Sequence, residues 1–274
     1  MELIDSELKE RIAQLDIPFN TYGYDHLGVS KEHLEYFFTF LSFLYNDYFR
    51  VRTFGLEHVP SEGRVMIVGN HSGGIPIDGG MILASLMLDA EKPRLVQGMV
   101  EKFANRMPFL STWFSRVGQF TGLPEHAVRI LENERALMVF PEGARGTAKL
   151  HKDQFTLVRF GTGFMRLALQ TGTPIVPAGF LGGGDAFPTV LNLKRIGKLF
   201  GLPYLPITRH ILPLPLPKPC ELYYGEPMVF EGTGNEEDEV IERYVQEVKD
   251  KIGELITRGL RRREQEQLAL QSPS

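Results

Sequence analysis

The segment Asn70-His71-Ser72-Gly73-Gly74-Ile75-Pro76-Ile77-Asp78 separates an imidazole from a carboxylate by six residues. An imidazole accepts a proton near neutral pH once its tautomer and orientation are set. A carboxylate bonded to the other ring nitrogen sets both, as in a catalytic triad without its own nucleophile. Gly73 and Gly74 allow a turn sharp enough to return Asp78 to His71. A second segment, Phe140-Pro141-Glu142-Gly143-Ala144-Arg145-Gly146, places an acid, a glycine and an arginine on one tight turn. That turn could present a fork of donors held by a neighbouring carboxylate, although a Glu–Arg pair in a loop is also how a surface salt bridge reads. The third segment is Ile175-Val176-Pro177-Ala178-Gly179, a strand whose proline and small residues could line an apolar pocket.

Each of these segments sits at or beside an apolar strand. Residues 65–68 form a continuous apolar run, as expected of a strand covered on both faces. Residues 79–88 read as a helix and 94–99 as a strand. Residues 124–134 form a helix opened by Pro124 and Glu125, and 136–140 a third strand. Residues 160–171 form a helix ended by Gly172, and 175–180 a fourth strand. The alternation predicts an α/β fold, a mixed and largely parallel sheet flanked by helices, with the site at the strands' carboxyl ends.

Residues 1–50 read as an N-terminal helical extension, 51–235 as the α/β domain, and 236–274 as an amphipathic helix with a frayed tail from 264. Within the extension, Leu34, Phe37, Phe38, Leu41, Leu44, Tyr45 and Tyr48 recur at helical steps. A helix over residues 34–49 is about 24 Å long, short of the roughly 30 Å hydrocarbon core, so it lies in an interface or packs on the main domain. Residues 202–219 carry six prolines among apolar residues and predict an extended apolar loop.

Composition narrows the possibilities. A net charge of −4 over 274 residues gives no basic excess to neutralise phosphates, so a nucleic-acid partner is not expected. The single cysteine, Cys220, allows no internal disulfide, and the histidines show no paired metal-ligand spacing, so no metal is expected. The acidic first residues do not read as a signal peptide, and no window of 18 consecutive apolar residues occurs. The expected location is cytoplasmic, peripheral on the inner face of a membrane.

Together and in this order, the three segments resemble the glycerolipid and lysophospholipid acyltransferase superfamily over residues 50 to 230. That family combines a histidine followed by an aspartate, a Phe-Pro-Glu-Gly-Thr-Arg block and a Val-Pro strand end. The six-residue His–Asp gap and the Asn-His-Ser-Gly-Gly wording look most like the branch related to monoacylglycerol and diacylglycerol acyltransferases. The resemblance implies that His71 deprotonates an acceptor hydroxyl and Asp78 orients it. Glu142, Gly143, Arg145 and Pro177 would then bind substrate. It implies a fatty acyl thioester, on coenzyme A or an acyl carrier protein, as co-substrate, with no cofactor. Because both substrates are lipidic, Phe37, Phe38, Leu41, Leu44, Leu205 and Leu214 are expected to meet membrane or acyl chain.

Two departures matter. Ala144 replaces the family's threonine. The second block, basic in phosphate-binding members, reads Val117-Gly118-Gln119-Phe120-Thr121-Gly122 here. This favours a less anionic acceptor such as a glyceride, lysophospholipid or long-chain alcohol over lysophosphatidate. A lipid hydrolase or thioesterase is the enzymatic alternative, but Asn70 stands where a Gly-x-Ser-x-Gly elbow needs its first glycine. A non-catalytic lipid-binding protein is the other.

Overall fold

The computed structural model describes residues 5–100, 110–121, 124–199, 203–212 and 214–271. Its strands are β1 (Arg52–Phe54), β2 (Val65–Gly69), β3 (Val96–Val100), β4 (Gln119–Thr121), β5 (Ala136–Val139), β6 (Ile175–Leu181), β7 (Thr189–Leu193), β8 (Leu205–Thr208) and β9 (Glu221–Tyr224). Seven form one sheet in the order β1-β9-β6-β2-β5-β3-β4. From β6 through β4 every pairing is parallel, while β9 runs antiparallel to β6 and carries β1 beside it. The fold is α/β with a mixed, mostly parallel sheet, as the alternation predicts. The apolar strands β2, β3, β5 and β6 were foreseen. The short strands β1, β4 and β9, none of them a wholly apolar run, were not, and neither was β7.

Helices cover both faces. On one face lie α1 (Ser6–Ala13), α2 (Lys31–Ser42) and α3 (Ile77–Leu88). Their apolar residues join a single core with the strands, including Ile12, Phe38, Ile67, Met81 and Val176. On the other lie α5 (Pro124–Glu132), α7 (Gly163–Thr171) and α10 (Asp238–Gln271), packed on Met66, Val68 and Tyr223. Short α4 (Leu110–Arg116) precedes β4. The remaining short helices are α6 (Ala144–Thr147), α8 (Gly183–Ala186) and α9 (Lys194–Leu199).

The N-terminal helices therefore share the main core, the packing alternative for residues 34–49. That stretch is also not one regular helix, because α2 passes at Phe43 into a π-helical turn, Phe43–Tyr48. Two further expectations are corrected. Within the proline-rich stretch, residues 205–208 form β8, which pairs with β7 in a two-stranded ribbon. Pro206 is tolerated there because both strands of a ribbon are edges, where a missing N–H need not break a ladder. Residues 200–202 and 213 lie outside the described residues, as does Gly122. The tail expected to fray from residue 264 continues α10 through Gln271. It is anchored by side chains, with the Arg262 guanidinium 3.9 Å from the Phe54 ring centre and Arg52 bonded to Glu266 at 2.8 and 2.9 Å.

Candidate active site

His71 leaves the carboxyl end of β2, and Asp78 sits in the first turn of α3. The connecting loop turns at Gly73 (φ +91°) and Gly74 (φ +72°), backbone that side chains resist, and this returns Asp78 to the imidazole. His71 Nδ1 lies 2.8 Å from both Asp78 carboxylate oxygens. The same carboxylate accepts the Ser72 N–H at 3.0 Å and the Gly79 N–H at 2.8 Å. Asp78 is fully buried and His71 is 12% exposed. A buried carboxylate among N–H donors remains an acceptor, so the proton of the neutral imidazole is held on Nδ1. The lone pair is left on Nε2, which has no hydrogen-bond partner among the described residues. Phe140 stacks on the ring at 4.4 Å and 15°, fixing its plane. This arrangement can take a proton from a hydroxyl brought to Nε2.

Three segments lock the loop in place. Buried Asn70 binds β6 in both directions, accepting the Phe180 N–H at 2.7 Å and donating to the Phe180 carbonyl at 3.0 Å. Glu142, at the end of β5, accepts the His71 N–H at 3.0 Å and the Val158 N–H at 3.1 Å. Its charge is matched by the buried Lys149 ammonium at 2.9 Å, which also donates to the Thr156 carbonyl. Gly146 lies so close that a Cβ there would be 2.7 Å from His71 Cβ and 2.8 Å from Glu142 Cβ. On the other flank, a Cβ on Gly183 would meet Ser72 Oγ at 2.9 Å.

The structure brings together some of the expected residues and reassigns others. His71 and Asp78 pair directly. Glu142 reaches the site but as scaffold: His71, Lys149 and Val158 occupy its oxygens, so it is not open to an acceptor. The carboxylate holds Lys149 rather than Arg145, which is exposed and donates from Nη2 to the Arg159 carbonyl at 3.2 Å. Gly143 (φ +55°) makes the turn into α6. Pro177 is buried on the sheet face opposite the one carrying Val176 and Ala178, beside Gly225 and Leu255, so it does not line a pocket with His71.

Asn70, Lys149, Gly146 and Gly183 were missed as site residues. Asn70, Gly146 and the glycines at 182–184 stood inside or beside recognised segments. Lys149 carried no signal, because nothing local shows that its partner is seven residues back. Cys220, just before β9, is fully buried, and burial pushes its thiol up to about 12, so it is no nucleophile.

The expected lipid contacts change as well. Phe38 and Leu41 are in the core, and Phe37 and Leu44 are half-buried, because α2 turns that stripe toward the sheet; Leu205, on β8, is also half-buried. The outward stripe is Tyr36, Phe40 and Phe43, spaced four and three residues apart and each at least half exposed. Leu214 is exposed as expected, with Ile211 and Leu212. Tyr48, in the turn after α2, donates its hydroxyl to the Pro215 carbonyl at 2.7 Å, tying the two apolar surfaces together. No helix among the described residues is long and apolar enough to cross a membrane.

This geometry can be set beside known proteins. Residues 50–181 match the family model described as Acyltransferase, covering the His71 loop, the Glu142 turn and the whole of β6. An uncharacterized protein of Mycobacterium leprae is 34% identical over 199 residues, and one of Mycobacterium tuberculosis is 33% identical over 196. Each match takes 69% of this chain, and the chain spans about half the length of these relatives, 53% and 54% respectively. The chloroplastic phytyl ester synthase 1 of Arabidopsis thaliana is 28% identical over 153 residues, 53% of this chain and 21% of its own. The crystal structure of the 1-acyl-sn-glycerophosphate acyltransferase PlsC of Thermotoga maritima shares the fold, with a TM-score of 0.51 and 20% identity over 82% of this chain and 79% of that one. With the matched blocks in their order on this fold, residues 50–181 carry a domain of the Acyltransferase family.

Proposed function

We propose that this protein moves a fatty acyl group from an acyl thioester to the hydroxyl of a lipid less anionic than lysophosphatidate at a membrane surface, with His71 as general base. The observation that carries the reading is the His71–Asp78 pair at the carboxyl edge of the sheet, whose geometry favours the proton on Nδ1 and leaves Nε2 without a partner among the described residues. Nε2 takes the hydroxyl proton as the oxygen attacks the thioester carbonyl carbon. The tetrahedral intermediate collapses with cleavage of the C–S bond, and the imidazolium returns its proton to the departing thiolate. Ester and free thiol are the products, and no acyl-enzyme forms.

The donor is a fatty acyl-coenzyme A or acyl carrier protein. The acceptor is a mono- or diacylglycerol, a lysophospholipid or a long-chain alcohol. The absence of a basic side chain between Val117 and Thr121 supports this choice, and so does the similarity to a protein named for making phytyl esters. Bilayer contact is assigned to Tyr36, Phe40 and Phe43 with Ile211, Leu212 and Leu214, an exposed apolar surface held together by the Tyr48–Pro215 bond.

The test is thiol release from palmitoyl-coenzyme A against a panel of acceptors, wild type beside His71→Ala. Acceptor-dependent release that falls about 10²–10⁴-fold in the variant is expected for loss of a general base. Release without any acceptor would instead identify a thioesterase. A strong preference for lysophosphatidate would overturn the acceptor class.

A further inference from the structure

The same edge of the sheet carries a second concave region, about 620 Å³, over the end of β6 and the starts of β9 and β1. Its floor is an ion-pair chain. Glu221, 3% exposed, is held by Arg52 and by Arg263 at 3.2 Å. Arg263 also reaches Asp185 at 3.6 Å, and Arg52 reaches Glu266. Every carboxylate lining the cleft is thus already matched by a guanidinium. Arg209 and Lys218, on the wall, are exposed and pair with no carboxylate among the described residues. In a chain of net charge −4, this cleft presents two uncommitted cations above a neutralised floor. Its volume is that of a small-molecule site.

The cleft is one turn away from His71. Ser72 and Gly73 pack on Gly183, and Asp185, two residues further, lines the cleft. A phosphate close to a reacting hydroxyl, as on a glycerol phosphate, would sit beside Nε2 and not across this turn. A phosphate group carried at the far end of a long arm from its thioester can lie across this turn.

We infer that this cleft binds the phosphate-bearing end of the acyl donor, with Arg209 and Lys218 as its ligands, while the thioester reaches across the Gly182–Gly184 turn to His71. The inference rests on the acyl-transfer reading for its choice of ligand. Phosphate on an anionic lipid headgroup shares the chemistry, and the experiment separates the two sources.

The full chain and an R209E/K218E variant are titrated calorimetrically with free coenzyme A, which needs no turnover. Replacing two phosphate partners by carboxylates is expected to weaken binding by about tenfold or more. In parallel, kcat/KM is compared for palmitoyl-coenzyme A and for palmitoyl-N-acetylcysteamine, a thioester without phosphates. The wild-type preference for the coenzyme A ester should shrink by a similar factor in the variant. Equal coenzyme A affinity in both proteins, or none in either, overturns the inference even where acyl transfer is intact. Coenzyme A binding that depends on Arg209 and Lys218 without any transfer sustains the cleft and removes the acyl-transfer reading. A variant that keeps its coenzyme A affinity and loses only its binding to phosphatidylglycerol vesicles reassigns the cations to the bilayer, and so overturns the donor assignment.

Discussion

The His71 site and the charged cleft lie on one sheet edge but are built in opposite ways. Around His71 the ionic groups are buried and saturated: Asp78 holds three N–H groups, and Glu142 holds two with Lys149. In the cleft, Arg52 and Asp185 remain about 44% and 34% exposed, and only Glu221 is enclosed. Buried ionic groups hold their geometry because an unpaired one is severely penalised, whereas exposed pairs are weak and exchange partners easily. A proton-transfer site needs the first property, since a fixed tautomer is its function. A site for a solvated anion tolerates the second.

That contrast can be broken most sharply at Asp78. Asp78→Asn lets the side chain offer an amide to Nδ1, which favours the wrong tautomer. The expected result is a fall in kcat of about 10²–10⁴-fold with KM little changed, read from steady-state thiol release. Next is Lys149→Met, which leaves the Glu142 carboxylate buried without its cation. A loss of about 3–5 kcal/mol in denaturant unfolding is expected, because breaking one half of a buried pair exposes its desolvation penalty. A loss below 1 kcal/mol would mean that the pair is effectively solvated.

Gly146→Ala forces a methyl group against His71 and Glu142. It should cost about 1–3 kcal/mol in thermal unfolding and lower kcat, because the collision is with the catalytic loop itself. The smallest effect belongs to the cleft. Hydrogen bonds from Arg52 and then Arg262 draw the Glu266 carboxyl down to about 2. A depressed folded-state pKa contributes stability fully above the ordinary carboxylate range, and that contribution is lost as pH falls from about 4.5 toward 2. Amide protection in the last turns of α10, taken relative to intrinsic exchange at each pH, should therefore fall over that window in the wild type and not in Glu266→Gln. An unchanged profile would show that Phe54 stacking alone holds the helix end.

The same division separates what could be read in advance. His71 and Asp78 share one loop, so their residue types, their spacing and the glycines between them announced the pair. The Glu142 turn was visible as a motif but misread, because the cation nearest in sequence, Arg145, is not the one that folding delivers. The aromatic helix shows the same limit. Its helical period was plain, yet nearly every face of α2 carries apolar residues, and pattern alone did not choose Tyr36, Phe40 and Phe43 as the outer side.

The sequence by itself determined the long buried strands, the helices between them and a histidine–aspartate loop at a strand's carboxyl end, since each depends on neighbours within about ten residues. Only the tertiary structure decided which carboxylate faces which cation, that Asn70 joins β2 to β6, and that Arg52, Asp185, Arg209, Lys218, Glu221 and Arg263 meet around one cleft. Those six positions come from five separate stretches of chain. Charge pairing acts through space, and it became legible only once the sheet had set the distances.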